Sequence, residues 1–93
     1  MSESETRLEL RFFGQVQGVG FRWRAYHAAN ALGLTGWVRN MPDGSVLCEV
    51  QGDRLAIDEM LARVAGGTYV DITHMDVKKL PLSDNERSFG IRE

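Results

Sequence analysis

One cysteine, Cys48, and two prolines are all that the 93 residues contain of either type. A lone thiol cannot close an internal disulfide, so the fold must hold without one, and a reducing, cytoplasmic home suits the chain. Long apolar runs are missing too. Nothing approaches the roughly 20 residues of a membrane span, and the polar start Met1-Ser-Glu-Ser-Glu-Thr-Arg7 lacks the apolar core of a secretion signal. Neither charge sign is in excess: 11 Lys and Arg stand against 13 Asp and Glu, a net charge of −2. That balance excludes an obvious nucleic-acid or membrane partner. His27 and His74 stand apart from any Cys, His or Asp cluster with ligand spacing, so no metal and no cofactor is expected.

What is there is ordinary globular material. With 43% hydrophobic and 26% charged residues, the chain is expected to form one domain over 1–93, with residues 1–6 disordered. Leu8, Leu10 and Phe12 alternate with Glu9 and Arg11, a half-buried strand. Phe21, Ala25, Ala28 and Leu32 fall at helical spacing, and Gly33 suits the stop after the last turn. Trp37-Val38-Arg39 predicts a second strand, Asn40-Met-Pro-Asp-Gly44 a turn, and Val46, Cys48 and Val50 a third strand closing a hairpin. Cys48 thus reads as core filler rather than as a nucleophile. Asp53 can cap a second helix whose apolar face is Ile57, Met60, Leu61 and Val64, ending at Gly66-Gly67. A fourth strand covers Ile72 to Leu80. Its apolar positions Ile72, Met75 and Val77 change parity, which predicts a bulge or bend early in the strand. Phe89 and Ile91 make a short closing strand.

The expected class is therefore α+β: a ferredoxin-like βαββαβ order, two helices on one face of a mostly antiparallel sheet, plus a C-terminal strand. In this plan strands one and two run parallel with strand three between them, through a right-handed crossover. The glycine-rich loop after strand one and Asn40 after strand two then leave the same edge of the sheet.

Gly14-Gln-Val-Gln-Gly-Val-Gly-Phe-Arg22 is the most informative stretch. Placed between a strand and a helix, its amides and the positive helix end favour an anion. No Lys-Ser/Thr pair follows, as a Walker loop requires, and Trp23 occupies the third glycine position of a dinucleotide fingerprint. Arg22 in the first helical turn opposes the helix dipole, a broken local rule that a bound oxyanion would reverse. On spacing alone, a glycine-rich turn followed by a solvent-facing arginine fits equally well, and Asn40 alone would be a turn residue.

Taken together, Gly14 to Arg22, Leu32-Gly-Leu-Thr-Gly-Trp-Val-Arg-Asn40 and Asp43-Gly-Ser-Val46 closely resemble the two signature stretches of the acylphosphatase family. Gln51-Gly52 and Phe89-Gly-Ile-Arg92 extend the resemblance over nearly the whole chain. It implies a ferredoxin-like fold and direct hydrolysis of carboxyl-phosphate anhydrides by water, without metal, with inorganic phosphate as product and competitor. It further implies that the amides of Gln15, Val16, Gln17, Gly18, Val19 and Gly20, with the Arg22 guanidinium, hold the phosphoryl group, and that Asn40 orients the water. Met41 and Glu93 depart from the family's usual threonine and tyrosine.

The chemistry can manage with so few groups. Phosphoryl transfer asks mainly for positioning and charge stabilisation, and a carboxylate leaves without a general acid. Two rivals stand beside this reading. The acylphosphatase-like domain at the front of hydrogenase-maturation carbamoyl transferases is similar over the Gly-Val-Gly-Phe-Arg stretch, but belongs to a long chain. RNA-binding domains share the βαββαβ order but present aromatics on their central strands, and Val46-Leu-Cys-Glu-Val50 offers none.

Overall fold

The computed structural model describes residues 5–93. Its elements run β1 (Glu5–Gln15), α1 (Phe21–Ala31), β2 (Thr35–Asn40), β3 (Val46–Asp53), α2 (Arg54–Ala65), β4 (Asp71–Leu80) and β5 (Phe89–Arg92). This is the expected βαββαβ order with its closing strand. The five strands form one sheet in the order β4-β1-β3-β2-β5. β3 is antiparallel to both β1 and β2, so β1 and β2 run parallel; β5 lies parallel beside β2.

Strand β1 is longer than its apolar alternation suggests. Glu5 and Thr6, expected to be disordered, pair with Asp53 and Gly52 of β3. A backbone partner is enough to continue a strand where no side chain is buried. The same expectation for residues 1–4 falls outside the described residues. At its far end β1 absorbs Gly14 and Gln15, which pair with Ile72 and Asp71.

One sheet face carries the core. Leu8, Leu10 and Phe12, Val46, Cys48 and Val50, and Val38 point to the helix side, where they meet Ala25, Ala28 and Ala29 of α1 and Ile57, Met60 and Val64 of α2. Phe12 and Phe21 touch ring to ring at 4.8 Å, which seats the start of α1 on β1. At the other end of α1, the Gly33 N–H bonds the Asn30 carbonyl and the Leu34 N–H bonds Ala29. This is a Schellman stop, and it aims the chain into β2.

The bulge falls in β4 where parity breaks. Phe13 faces His74, but Gly14 faces Ile72, so Thr73 is the extra residue. It returns Ile72 to the helix side, against the core. Met75 and Val77 lie on that side as well, opposite Phe12 and Leu10, yet remain 36% and 52% exposed. The helices pack over β2, β3 and β5 and leave β4 at the edge.

Because β4 and β5 form opposite edges, the segment 81–88 must cross the helix-free face. Arg7, only 6% exposed, ties it down. Its guanidinium donates to Glu86 Oε1 and Oε2 at 2.6 and 2.8 Å, to Glu49 Oε1 at 2.9 Å and to Gln51 Oε1 at 3.2 Å. Gln51 also donates to the Ser83 carbonyl at 2.9 Å and accepts from the Ser83 N–H at 2.7 Å. The Arg7 hydrogen bonds hold the Glu86 carboxyl below the usual glutamate range, against the opposing effect of burial. Glu86 in turn holds the guanidinium in its charged form. This strap delivers β5 to the side of β2.

Candidate active site

The parallel run of β1 and β2 brings the glycine loop and Asn40 to one end of the sheet. Asn40 is the last residue of β2, opposite Val46. The turn beyond it is tightly made: the Met41 N–H bonds the Ser45 carbonyl at 2.8 Å, and Gly44 bonds back to Met41. The Asp43 carboxylate accepts from the Ser45 hydroxyl at 2.6 Å, the Ser45 N–H at 2.9 Å and Arg11 Nη2 at 2.8 Å. The Ser45 bonds foremost, with Arg11 beside them, keep that carboxyl below its ordinary range.

Across from this turn lies the loop. Gly18 and Gly20 have φ of +75° and +80°, the left-handed region that only glycine enters cheaply. A Cβ at either would meet open space, so the backbone turn, and not crowding, calls for glycine. Gly20 is the N-cap of α1 and offers no side-chain cap, and the first turn holds no acid. Helix α2 is the contrast: its N-cap Asp53 accepts from the Leu55 N–H at 2.9 Å. Among the described residues, no backbone or side-chain acceptor takes the N–H groups of residues 17 to 22. Six consecutive open donors beside a positive helix end are an environment that favours an anion.

A cleft of about 390 Å³ is lined by Val16, Gly18, Gly20, Arg22, Trp23 and Asn40, with Ile91 and Glu93 arriving from β5 and beyond. It thus joins Arg22 and Asn40, which stand 18 positions apart in the chain. Among the described residues, Arg22 has no acidic partner within 4 Å, and neither its guanidinium nor the Asn40 amide forms a hydrogen bond. Both are half-buried.

The other expected phosphate ligands are placed unequally. Gln15 ends β1 and is outside the cleft, and the Val16 N–H turns back onto the Gly14 carbonyl at 3.1 Å. The Val19 side chain packs against the core. Gln17 has a function that its amide alone does not suggest. Its Nε2 donates to the Met41 and Ser45 carbonyls, both at 2.8 Å, and so fixes the loop to the turn that follows Asn40. Its sequence signal was slight: among residues 16 to 20 it is the one side chain able to hydrogen-bond. Cys48 is 1% exposed inside the core, and burial pushes its thiol far above the ordinary range, so it is no nucleophile. Among the described residues no three His, Cys, Asp or Glu side chains gather where they could hold a metal ion. No helix of the described residues is long and apolar enough to cross a membrane.

The acylphosphatase family model matches residues 8–91. The chain belongs to the acylphosphatase family. The acylphosphatase of Chlorobaculum tepidum is 38% identical over 89 residues, which cover 95% of this chain and 97% of that one. Among solved structures, the Bacillus subtilis acylphosphatase superposes with a TM-score of 0.85 at 28% identity, covering 94% of this chain and 98% of that one. Full-length HypF contains a similar fold: TM-score 0.81, 22% identity, 96% of this chain but 12% of HypF. Membership of the family makes the chain a hydrolase, and it accounts for both signature stretches meeting at one cleft.

Proposed function

We propose that this member of the acylphosphatase family hydrolyses acyl phosphates at the cleft between the glycine loop and Asn40, with Arg22 and the loop amides holding the phosphoryl group. The observation that carries the reading is the convergence of three kinds of unused polar group on that cleft: the open N–H groups of the loop, the unpaired Arg22 guanidinium and the unbonded Asn40 amide. A tetrahedral oxyanion satisfies the first two together, and the planar guanidinium can do so with two parallel bonds. Gln17, Gly18, Val19 and Gly20 supply the amides, with Val16 forming the wall.

Asn40 stands where it can hold a water by its carbonyl or N–H. The water oxygen attacks phosphorus as the bond from phosphorus to the acyl oxygen breaks, and that electron pair leaves on the carboxylate. The water proton passes to a non-bridging phosphate oxygen, giving inorganic phosphate. The cleft needs no general acid, since a carboxylate is a weak base. It needs no metal, because the arginine and amides neutralise the charge spread over the equatorial oxygens. Inorganic phosphate competes for the same nest. The single reduced thiol suits a cytoplasmic protein, and neither a nucleic acid nor a membrane takes part.

The test pairs leaving groups. Acetyl phosphate should be hydrolysed at the same rate with excess chelator or with added magnesium. An alkyl phosphate monoester, whose alkoxide needs protonation to leave, should be untouched. Chelator-sensitive turnover, or comparable rates for the acyl phosphate and the alkyl monoester, would overturn the reading.

A further inference from the structure

The cleft has a neighbour. A second hollow, of about 550 Å³, lies between α1 and α2 and is lined by Gly20, Trp23, Arg24, His27, Ala28, Ala31 and Arg63. The two share Gly20 and Trp23, so they adjoin at the mouth of the anion nest. Asn40 lines only the first. In an in-line displacement the leaving oxygen lies opposite the attacking water. With the water at Asn40, the acyl group leaves on the side away from that residue, and the second hollow, which Asn40 does not line, adjoins the cleft through Gly20 and Trp23.

The lining of this hollow is chemically one-sided. It brings two guanidinium groups and an imidazole, with no acid among the lining residues. Arg63 is paired along its own helix with Glu59 at 3.0 Å, both about half exposed. Arg24 has no acidic partner within 4 Å among the described residues. Its stem rests on Gly67, where an added Cβ would come within 2.8 Å of Arg24 Nε and 3.2 Å of its Cδ. The missing side chain at 67 leaves the space that Arg24 occupies. Trp23, 59% exposed, is braced by Tyr26 at 5.4 Å and His27 at 4.8 Å between ring centres. A large aromatic left bare yet held in place is a platform for a planar or apolar ligand.

We propose that this hollow is the acyl-group subsite, and that Arg24 and Arg63 select acyl phosphates whose acyl chain ends in a second anionic group, with Trp23 carrying the chain between the two anions. The inference rests on the cleft being where acyl phosphates are hydrolysed.

Benzoyl phosphate and 4-carboxybenzoyl phosphate test it, because the rigid ring prevents the second carboxylate from reaching the first. The wild-type chain should favour the 4-carboxy compound in kcat/KM by roughly three- to tenfold, mostly through KM, as two exposed charge contacts allow. Raising the salt concentration should shrink the preference. The double variant Arg24→Gln/Arg63→Gln, which keeps polar side chains of similar reach, should bring the ratio near one. Arg54→Gln removes the same kind of charge from the exposed start of α2, outside the hollow, and should leave the ratio as it was. A wild-type ratio near one, a ratio that survives the double substitution, or an equal drop in the Arg54 variant would overturn the subsite. Failure to hydrolyse even benzoyl phosphate would instead sink the acyl phosphate reading on which it rests.

Discussion

Gln17→Ala should separate assembly of the site from phosphate binding. The substitution removes two 2.8 Å hydrogen bonds, to the Met41 and Ser45 carbonyls. Neither carbonyl is left bare: Met41 O still accepts from Gly44 and Ser45 O from Met41. Each lost bond therefore costs at the lower end of the usual 0.5–1.5 kcal/mol, about 1–2 kcal/mol for the pair. In a domain of this size that lowers Tm by roughly 5–15 °C. The backbone N–H of residue 17 stays in the nest, so inhibition by phosphate should change by no more than about twofold. Asn40, next to Met41, loses its fixed distance from the loop, and kcat should fall about tenfold, since an ångström of misplacement can cost 100-fold. Thermal unfolding, phosphate inhibition and steady-state kinetics on acetyl phosphate measure the three effects. Gln17→Glu supplies the sharper check. It keeps the shape but turns a carboxylate on two carbonyl oxygens beside an anion site, so it should be worse than alanine in stability and in KM. A glutamate variant more stable or more active than the alanine one would refute the reasoning, as would an alanine variant that loses phosphate affinity and keeps its kcat.

Arg22→Lys keeps the charge but not the planar fork, and should lose at least about 100-fold in kcat/KM, through binding and turnover alike; activity within a few-fold of wild type would exclude the assigned role. Asn40→Ala should cut kcat on the same scale while phosphate still inhibits as in wild type, whereas lost phosphate affinity with unchanged turnover would reverse the assignment. Glu86→Gln weakens the strap. Arg7 depresses the Glu86 carboxyl in the folded chain, so the stabilisation is complete above the unfolded glutamate pKa of about 4.3 and is lost as pH falls through the folded value. Denaturant titrations should find the variant less stable at pH 7 by about 1–3 kcal/mol. The gap should close below about pH 4, and a gap constant across that range would deny the linkage.

How much of this could be read from the residues varied with how local the cause was. Alternation at Leu8 to Phe12 and at Val46 to Val50 fixed the faces of two strands, and the parity break at Ile72 located the bulge. The handed crossover was enough to bring Arg22 and Asn40 to one end of the sheet. Burial at Met75 and Val77 was not legible, because an apolar side chain carries no mark of lying beyond the reach of the helices. The Arg7 strap was equally hidden: Glu86 stands 79 positions away, and only the finished sheet puts it over the same face. Gln17 offered an amide and a side chain, and the glycines around it drew attention to the first. Arg24 and Arg63 sit on different helices whose packing had to be seen before their charges could be added together.

The sheet order has a consequence for when this cleft exists. Only the hairpin of β2 and β3 joins strands that follow each other directly. β1, which carries the loop into place, pairs with strands more than 30 residues away, Leu8 with Val50 and Gln15 with Asp71. Such pairings form late, after the entropy of long loops has been overcome, on a scale of milliseconds to seconds. Asn40 therefore ends a strand of the one local hairpin, whereas the loop that leads into Arg22 is held in place only once β1 has made its distant pairings. No fragment short of the assembled sheet holds both, so catalysis itself reports that the chain has finished folding.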